Sequence, residues 1–329
     1  MNVLVAGGAG YIGSHAVKQL LDDGHEVLAI DNLFRGHAEA VDARAEFAEV
    51  DLVDTDHLVK LLRAHEIDCV MHFAALAYVG ESVTQPLDYY DKNTGGTVSL
   101  LRAMDEVGVK RMVFSSTCAT YGEPERMPIT EDMPQNPINP YGRSKLFVEH
   151  VLKDYAHANP SFGFVALRYF NVAGAAADGS IGEDHEPETH LIPVVIEAAL
   201  GKREKVTIFG TDYDTPDGTC IRDYVHVEDL CAAHITGMKA LRDGDQRFYN
   251  LGIGRGYSVR EVIESVKRVT GKEFTVEIGQ RRPGDPPTLY ANADKLRDEL
   301  GWEPRYTELD AIVETAWRWF GEHPEGYAE

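Results

Sequence analysis

The run Gly7-Gly8-Ala9-Gly10-Tyr11-Ile12-Gly13 constrains this chain more than any other stretch. It follows a short apolar segment, Val3 to Ala6, and opens a segment with Ile12, Ala16, Leu20 and Leu21 at helical spacing, which stops at Gly24. An apolar run without alternation suits a strand buried on both faces. Glycines spaced G-x-x-G-x-x-G between a first strand and a first helix let the backbone turn tightly and approach a pyrophosphate, whose charge meets the helix N-terminus.

The pattern continues beyond the loop. Further strands are expected at 27–30, 47–50, 69–73, 111–115 and 164–168. Between them lie a helix marked by Leu58, Leu61 and Leu62, a long helix from Leu87 to Val107, and a helix behind Asn139. Such alternation implies α/β: a Rossmann-type doubly wound parallel sheet with helices on both faces. After Asn171 the texture changes. Residues 174–190 read as a loop rich in Gly, Ala, Asp and Glu. A helix over 191–200, strands at 206–209 and 224–227, a helix at 258–270, a strand at 274–278 and helices ending at Trp319-Phe320 follow. We expect a dinucleotide domain over 1–174, with a returning segment near 219–254, and a smaller mixed α/β C-terminal substrate domain over 175–329.

Charge limits the partners. The chain has 54 Asp+Glu against 32 Lys+Arg, a formal net charge of -22. That excludes nucleic acid and an anionic membrane surface as expected partners. Local arginines can still hold a phosphorylated small molecule. Cys69, Cys118, Cys220 and Cys231 form no C-x-x-C and read as free thiols of a reducing compartment. Met1-Asn2-Val3 has no basic lead and no apolar run is long enough to span a bilayer, so no signal peptide or membrane segment is expected. A cytoplasmic location is the expectation.

Several residues point to chemistry. Asp31 closes the second strand about 24 residues after Gly7, where an acid accepts hydrogen bonds from a ribose diol and repels a 2′-phosphate. This favours NAD over NADP; Arg35 nearby reads as a solvated loop residue. Asp51-Leu52 and Phe73-Ala74 close the third and fourth strands, and Ser115-Ser116-Thr117 the fifth. In a doubly wound sheet those carboxyl ends face the ligand crevice. Asn139 and Pro140 read as N-cap and first helical residue, placing Tyr141 in the first turn with Lys145 on the same face. A nearby ammonium favours phenolate, which makes the pair a candidate general acid/base. Asp184-His-Glu-Pro-Glu-Thr-His190 tempts a metal reading, but its histidines are five apart with Pro187 between them, so the helical H-E-x-x-H geometry fails and no metal is expected. Cys118 reads as a small buried residue.

The glycine loop, a strand-end Ser/Thr and Y-x-x-x-K, in this order, resemble the extended short-chain dehydrogenase/reductase family. Val79-Gly-Glu-Ser82, Ser116-Thr-Cys-Ala-Thr-Tyr-Gly122, Leu167-Arg-Tyr-Phe-Asn171, Asp217 to His226, Tyr249-Asn-Leu-Gly252 and Arg281-Arg-Pro-Gly-Asp285 narrow the resemblance to its UDP-glucose 4-epimerase subfamily, along nearly the whole chain. The resemblance implies that Gly7, Gly10, Tyr11, Ile12, Gly13, Asp31, Asn32, Asp51, Leu52, Phe73, Ala74, Asn93, Ser115, Tyr141, Lys145 and Phe170 hold NAD. It places Thr117 and Tyr141 against the sugar, and Asn171, His190, Leu191, Phe209, Arg222, Arg282, Asp285 and Leu289 around a UDP-sugar. It implies NAD-dependent interconversion of UDP-glucose and UDP-galactose through a 4-keto sugar that swings about its diphosphate. Tyr141 would carry the proton, with Lys145 keeping phenolate accessible and Thr117 relaying or orienting. It also implies a homodimer that pairs the 87–107 helix with the Tyr141 helix.

The chain departs from the family pattern at four places. Ala6 stands where many members have Thr, Ala77 where one branch has Lys, and His190 where that branch has a uridine-side Asn. Leu289 stands where Tyr often walls the sugar pocket, leaving room for an N-acetyl group. Other readings stay open. A 4,6-dehydratase is not among them, because it needs an acid and a base after the strand-end Thr, where this chain has Cys118 and Ala119, which cannot serve. Epimerases of UDP-xylose/UDP-arabinose or UDP-N-acetylglucosamine, a net oxidoreductase, and a non-catalytic NAD-binding regulator remain alternatives.

Overall fold

The computed structural model describes residues 1–282 and 285–327. Pro283 and Gly284 of the Arg281–Asp285 string lie outside the described residues. In chain order β1 is Asn2–Ala6, α1 Tyr11–Asp22, β2 Glu26–Asp31, β3 Glu46–Glu49, α2 Thr55–Ala64 and β4 Cys69–His72. Then come α3 Val79–Thr84, α4 Pro86–Tyr89, a π-helical segment Tyr90–Gly95, α5 Gly96–Val107, β5 Arg111–Thr117, α6 Pro140–Ala158, β6 Gly163–Tyr169 and β7 Asn171–Ala173. The rest comprises α7 Leu191–Ala199, β8 Lys205–Phe209, β9 Ile221–Arg222, β10 Tyr224–His226, α8 Val227–Ala240, β11 Gln246–Leu251 and β12 Tyr257–Ser258. It ends with α9 Val259–Thr270, β13 Thr275–Gly279, β14 Thr288–Leu289, α10 Asp294–Leu300 and α11 Leu309–Glu322.

Seven strands form one sheet in the order β11-β6-β5-β4-β1-β2-β3. Every pairing in it is parallel. Central strands are buried on both faces, as in β1, where Val3 to Ala6 are all inaccessible. One apolar layer packs α1 and α8 on the sheet; the other packs α2, α5 and α6 on the opposite face. The strand order turns back between β1 and β4, which is where a doubly wound sheet opens a ligand crevice at its carboxyl edge. A third core joins α7, α9 and α11 beneath the parallel pair β8/β13. A small sheet β12-β9-β14 and the pair β10/β7 connect the two regions.

Local sequence explains most of these boundaries. Asn139 caps α6 by accepting from Gly142 N at 2.8 Å, with Pro140 in the first turn. Ser258 and Glu261 form a reciprocal capping box at α9, and Gly271 ends it in the left-handed region. The expected long helix over 87–107 differs in detail. It starts at Pro86 and carries the π-helical segment at Tyr90–Gly95, a register shift that a count of apolar spacing does not reveal. Spacing of apolar residues does not mark the helices α3 and α8 or the strand β11.

Candidate active site

The glycine loop closes on itself and on β4. Gly7 lies at φ +82, and a Cβ there would fall 2.5 Å from Ala74 N; one at Gly13 would fall 1.9 Å from Gly7 O. Both glycines are therefore demanded by the chain's own backbone. Gly10 is different: its φ is -81 and an added Cβ would meet only Gly7 O, at 3.4 Å. Nothing in the chain requires a glycine there. The open face at the helix N-terminus is what a diphosphate needs, so the loop fits a dinucleotide.

The strand ends converge on this loop. Asp31 accepts from Ala9 N at 3.2 Å and Leu33 N at 2.9 Å, and burial raises its carboxyl above the usual range. Asn32 donates to Asp51 at 3.0 Å, and Lys92 reaches the same carboxylate oxygen at 3.1 Å. Phe73 N and Ala74 N both donate to Ala6 O, at 2.8 and 2.9 Å. Leu52 and Phe170 are buried, the latter in a small core with Tyr121, Ile129 and Ala291.

Two expectations change here. Arg35 is no solvated loop residue: its Nη2 donates to both oxygens of Glu81, at 2.7 and 2.8 Å, and its guanidinium lies 3.9 Å from the centre of the Tyr78 ring. Its charge is neutralised within the chain, which strengthens the reading against a 2′-phosphate. The Asn93 side chain is occupied by the protein itself. Its Oδ1 accepts from Leu76 N at 2.8 Å and its Nδ2 donates to Leu76 O and Ser144 Oγ, both at 3.0 Å. Tyr11 similarly spends its hydroxyl on Gly174 O, at 2.6 Å, while Ile12 packs against the sheet core.

Tyr141, Lys145 and Glu149 recur every fourth residue along one face of α6. Lys145 is buried and its Nζ donates to Ser115 O at 2.9 Å. Ser115 Oγ is hydrogen-bonded to the Tyr169 hydroxyl. Burial pushes the Tyr141 phenol up to about 12, partly opposed by a hydrogen bond with Thr117. Burial also pulls the Lys145 ammonium down to about 7. The sequence led us to expect an ammonium that lowers the phenol. Desolvation opposes that expectation: Lys145 is buried and Tyr141 half-buried beside it, and burial disfavours the charged form of each. Cys118 is half-buried where a buried residue was expected, and desolvation raises its thiol to about 12, away from thiolate.

Behind this face sits a network that motif reading missed. Glu149 accepts from Ser116 Oγ at 2.6 Å, from Arg168 Nε and Nη2 at 2.9 and 2.7 Å, and from Gln135 Nε2 at 2.9 Å. Arg168 also donates to the Tyr121 hydroxyl, which donates to Asn250. The available signal was an acid four residues beyond Lys145 on a face of otherwise apolar residues.

The expected UDP-side residues gather in the second region. Asn171 opens β7 and donates its N–H to Asp223 O at 3.1 Å. Arg222 donates to Asp285 Oδ1 and to Ile221 O. Arg282 stacks over the Phe209 ring, 4.0 Å from its centre. Leu289 pairs with Arg222 in the β14/β9 ladder and packs, like Cys118, against the small core of Tyr121, Ile129 and Phe170. An open cleft of about 770 Å³ takes in Arg282, Asp285, Tyr213 and Arg126; Tyr141, Lys145 and Thr117 do not line it. Leu191 begins α7, and His190 precedes it.

His190 does not stand free to meet a ligand. Its Nδ1 lies 2.8 Å from Glu183 and 3.0 Å from Glu188. Burial alone would raise Glu183, but His190 and His185 outweigh it and bring it to about 2. Burial likewise opposes protonation of His190, and the two carboxylates overcome it to raise the imidazole to about 10. Glu183 lies outside the string that motif reading singled out.

A glycine loop at the turning point of a parallel sheet, with a strand-end Thr beside a Tyr and a buried Lys one turn on, defines a dinucleotide-dependent enzyme of the short-chain dehydrogenase/reductase class. A model of the NAD dependent epimerase/dehydratase family matches residues 3–252. The chain is 52% identical over 330 residues to the UDP-glucose 4-epimerase of Lactobacillus helveticus, covering all of both chains. The solved UDP-glucose 4-epimerase of Brucella ovis in complex with NAD superposes with a TM-score of 0.93 at 49% identity, covering 97% of this chain and 98% of that one. The Bifidobacterium longum enzyme in complex with NAD+ and UDP gives 0.95 at 39% identity, covering 99% and 100%. This chain belongs to the NAD dependent epimerase/dehydratase family and, within it, to the UDP-glucose 4-epimerases.

Proposed function

We propose that the chain interconverts UDP-glucose and UDP-galactose with bound NAD, through a transient 4-keto sugar. The observation that carries the chemistry is the Thr117–Tyr141 pair at the carboxyl end of β5, with Lys145 anchored on Ser115 O beside it. When bound, the dinucleotide supplies a reversible store for the C4 hydride. Tyr141 removes the proton from the sugar 4-hydroxyl and, once the 4-keto sugar has turned about its diphosphate so that C4 takes the hydride back on its other face, returns the proton to the 4-oxygen. Thr117 orients that hydroxyl and the phenol. Desolvation raises the Tyr141 phenol, and positive charge brought against it favours the phenolate that a base requires. Lys145, which titrates near neutrality, is the chain's own group for that task. Arg222 and Arg282 supply guanidinium groups for the diphosphate. Binding there requires Arg222 to share or release Asp285.

Supporting the assignment of residues 1–174 with a return near 219–254 to the dinucleotide domain, β11 joins the main sheet beside β6 and α8 packs on α1. Exposed Val79, Val83, Leu87 and Phe147 around α3, α4 and α6 support a homodimer through these helices. Four free cysteines support a reducing, cytoplasmic setting. Among the described residues no helix is long and apolar enough to cross a membrane.

The test is turnover of UDP-galactose, UDP-N-acetylglucosamine and UDP-xylose side by side, with product and reduced dinucleotide both followed. The proposal expects UDP-glucose from UDP-galactose at the highest kcat/KM and no net accumulation of reduced dinucleotide. Stoichiometric release of reduced dinucleotide, or no turnover of any of the three, would sink it.

A further inference from the structure

The segment from Glu183 to His190 is not helical, so the helix-spacing criterion that argued against a metal does not apply to it. It is held at both ends. Trp319 Nε1 donates to Glu183 O at 3.0 Å, Tyr327 N donates to Asp184 Oδ2 at 2.9 Å, and His190 leads directly into α7. The coil between these ends folds Glu183, His185, Glu188 and His190 together, with one donor atom from each lying within 4.8 Å of the others.

The spacings suit an ion. Nitrogen and oxygen ligands about 2.0–2.2 Å from a tetrahedral zinc-type centre lie about 3.3–3.6 Å from one another. Here Nδ1 of His185 is 3.2 Å from Glu183 and 3.9 Å from Glu188, and Nδ1 of His190 is 2.8 and 3.0 Å from the same two carboxylates. The observed values bracket the required edge. His185 Nδ1 is enclosed and aligned for no hydrogen bond among the described residues, despite its distance from Glu183. An enclosed ring nitrogen without a hydrogen-bond partner, set between two carboxylates, has a lone pair available to ligate a cation. Tyr11 and Tyr78 present their rings edge-on to His185, at centroid distances of 6.3 and 6.0 Å, and wall the cluster.

We propose that Glu183, His185, Glu188 and His190 form a binding site for one divalent transition-metal ion of the zinc class. Two imidazoles and two carboxylates balance a dication. They differ from the all-oxygen shells that calcium and magnesium take and from the thiolates that copper(I) prefers. Tyr141, Lys145 and Thr117 give the ion no donor, so it takes no part in proton transfer. The ion ties the segment behind Tyr11 of the glycine loop to the start of α7, and so couples the two regions of the molecule.

The test uses the full, untagged chain after chelator treatment, titrated with Co2+ and separately loaded with Zn2+. We expect one ion per chain, visible Co2+ bands of a four-coordinate site, and a zinc absorption fine structure with only N/O neighbours at about 2.0 Å, two of them imidazoles. His185→Gln and Glu188→Gln should each weaken Co2+ binding by more than about 10–100-fold, the loss typical for groups that merely support a ligand. Circular dichroism of the metal-free variants establishes that they fold. Absence of stoichiometric binding by the wild-type chain, sulfur in the zinc shell, or undiminished binding by either folded variant would overturn the proposal.

Discussion

Replacing Lys145 by Met is expected to stabilise the dinucleotide-free protein at neutral and mildly acidic pH while abolishing turnover. Lys145 is buried and its ammonium is pulled from 10.5 to about 7 by desolvation. At about 1.4 kcal/mol per pKa step, that difference is a penalty of about 5 kcal/mol when the group is fully charged. The hydrogen bond from Nζ to Ser115 O returns part of it, about 1.5–3 kcal/mol for a charged donor, and methionine forfeits that bond. The net gain for Met is therefore about 2–3 kcal/mol. The sign follows from proton counting. Between pH about 7 and 10.5 the unfolded chain binds the proton that the folded chain has lost, so wild-type stability rises with pH across that window. Below about 7 the penalty is complete and constant. Urea unfolding of both proteins, stripped of dinucleotide, at pH 6.5 and pH 10 reads the difference, with midpoint and slope compared at each pH. Lys145→Met should lead at the lower pH and lose that lead at the higher. A variant less stable than wild type at pH 6.5, or a difference that ignores pH, would refute the account of a charge held against desolvation.

Tyr141→Phe should lower kcat at least about 100-fold, the usual contribution of a positioned acid/base, with little change in UDP affinity measured by calorimetry. Gly10→Ala should leave the melting temperature of the dinucleotide-free protein nearly unchanged yet weaken NAD binding, whereas Gly13→Ala should destabilise the fold itself, because the first methyl meets only Gly7 O at 3.4 Å and the second would fall 1.9 Å from that same oxygen. Glu149→Ala strands the buried Arg168 guanidinium and should cost about 3–5 kcal/mol in urea unfolding. A double replacement of Glu149 and Arg168 by apolar residues of similar volume should recover much of that loss. Hydrogen bonds and the guanidinium hold the Glu149 carboxyl below its ordinary value despite burial, so its contribution is present at neutral pH and lost as pH falls through the folded pKa.

Much of the catalytic frame was legible because it is local. The order strand, glycine loop, helix is written in consecutive residues, and the sheet's parallel topology follows from repeating that unit. Tyr141 and Lys145 share a face because they are four residues apart on a helix capped by Asn139. Asp31 reaches the loop because it ends the strand next to β1. What depends on distant parts of the chain was not legible. Arg35 meets Glu81 across 46 residues of sequence, and Asn93 is consumed by Leu76 and Ser144. Neither partner is visible to spacing rules. Glu183 joins two histidines only because a coil, pinned by Trp319 and Tyr327, turns back on itself.

The glycine loop alone determined that this chain would present a helix N-terminus to a diphosphate, and the Tyr141/Lys145 spacing alone determined that the two side chains would be neighbours. Tertiary structure decided their charge. A residue's ordinary pKa belongs to water, and packing α6 against β5 takes Lys145 out of water and shields much of Tyr141. The phenol therefore holds its proton and the ammonium is ready to give its own away, a balance set by burial and not by sequence distance.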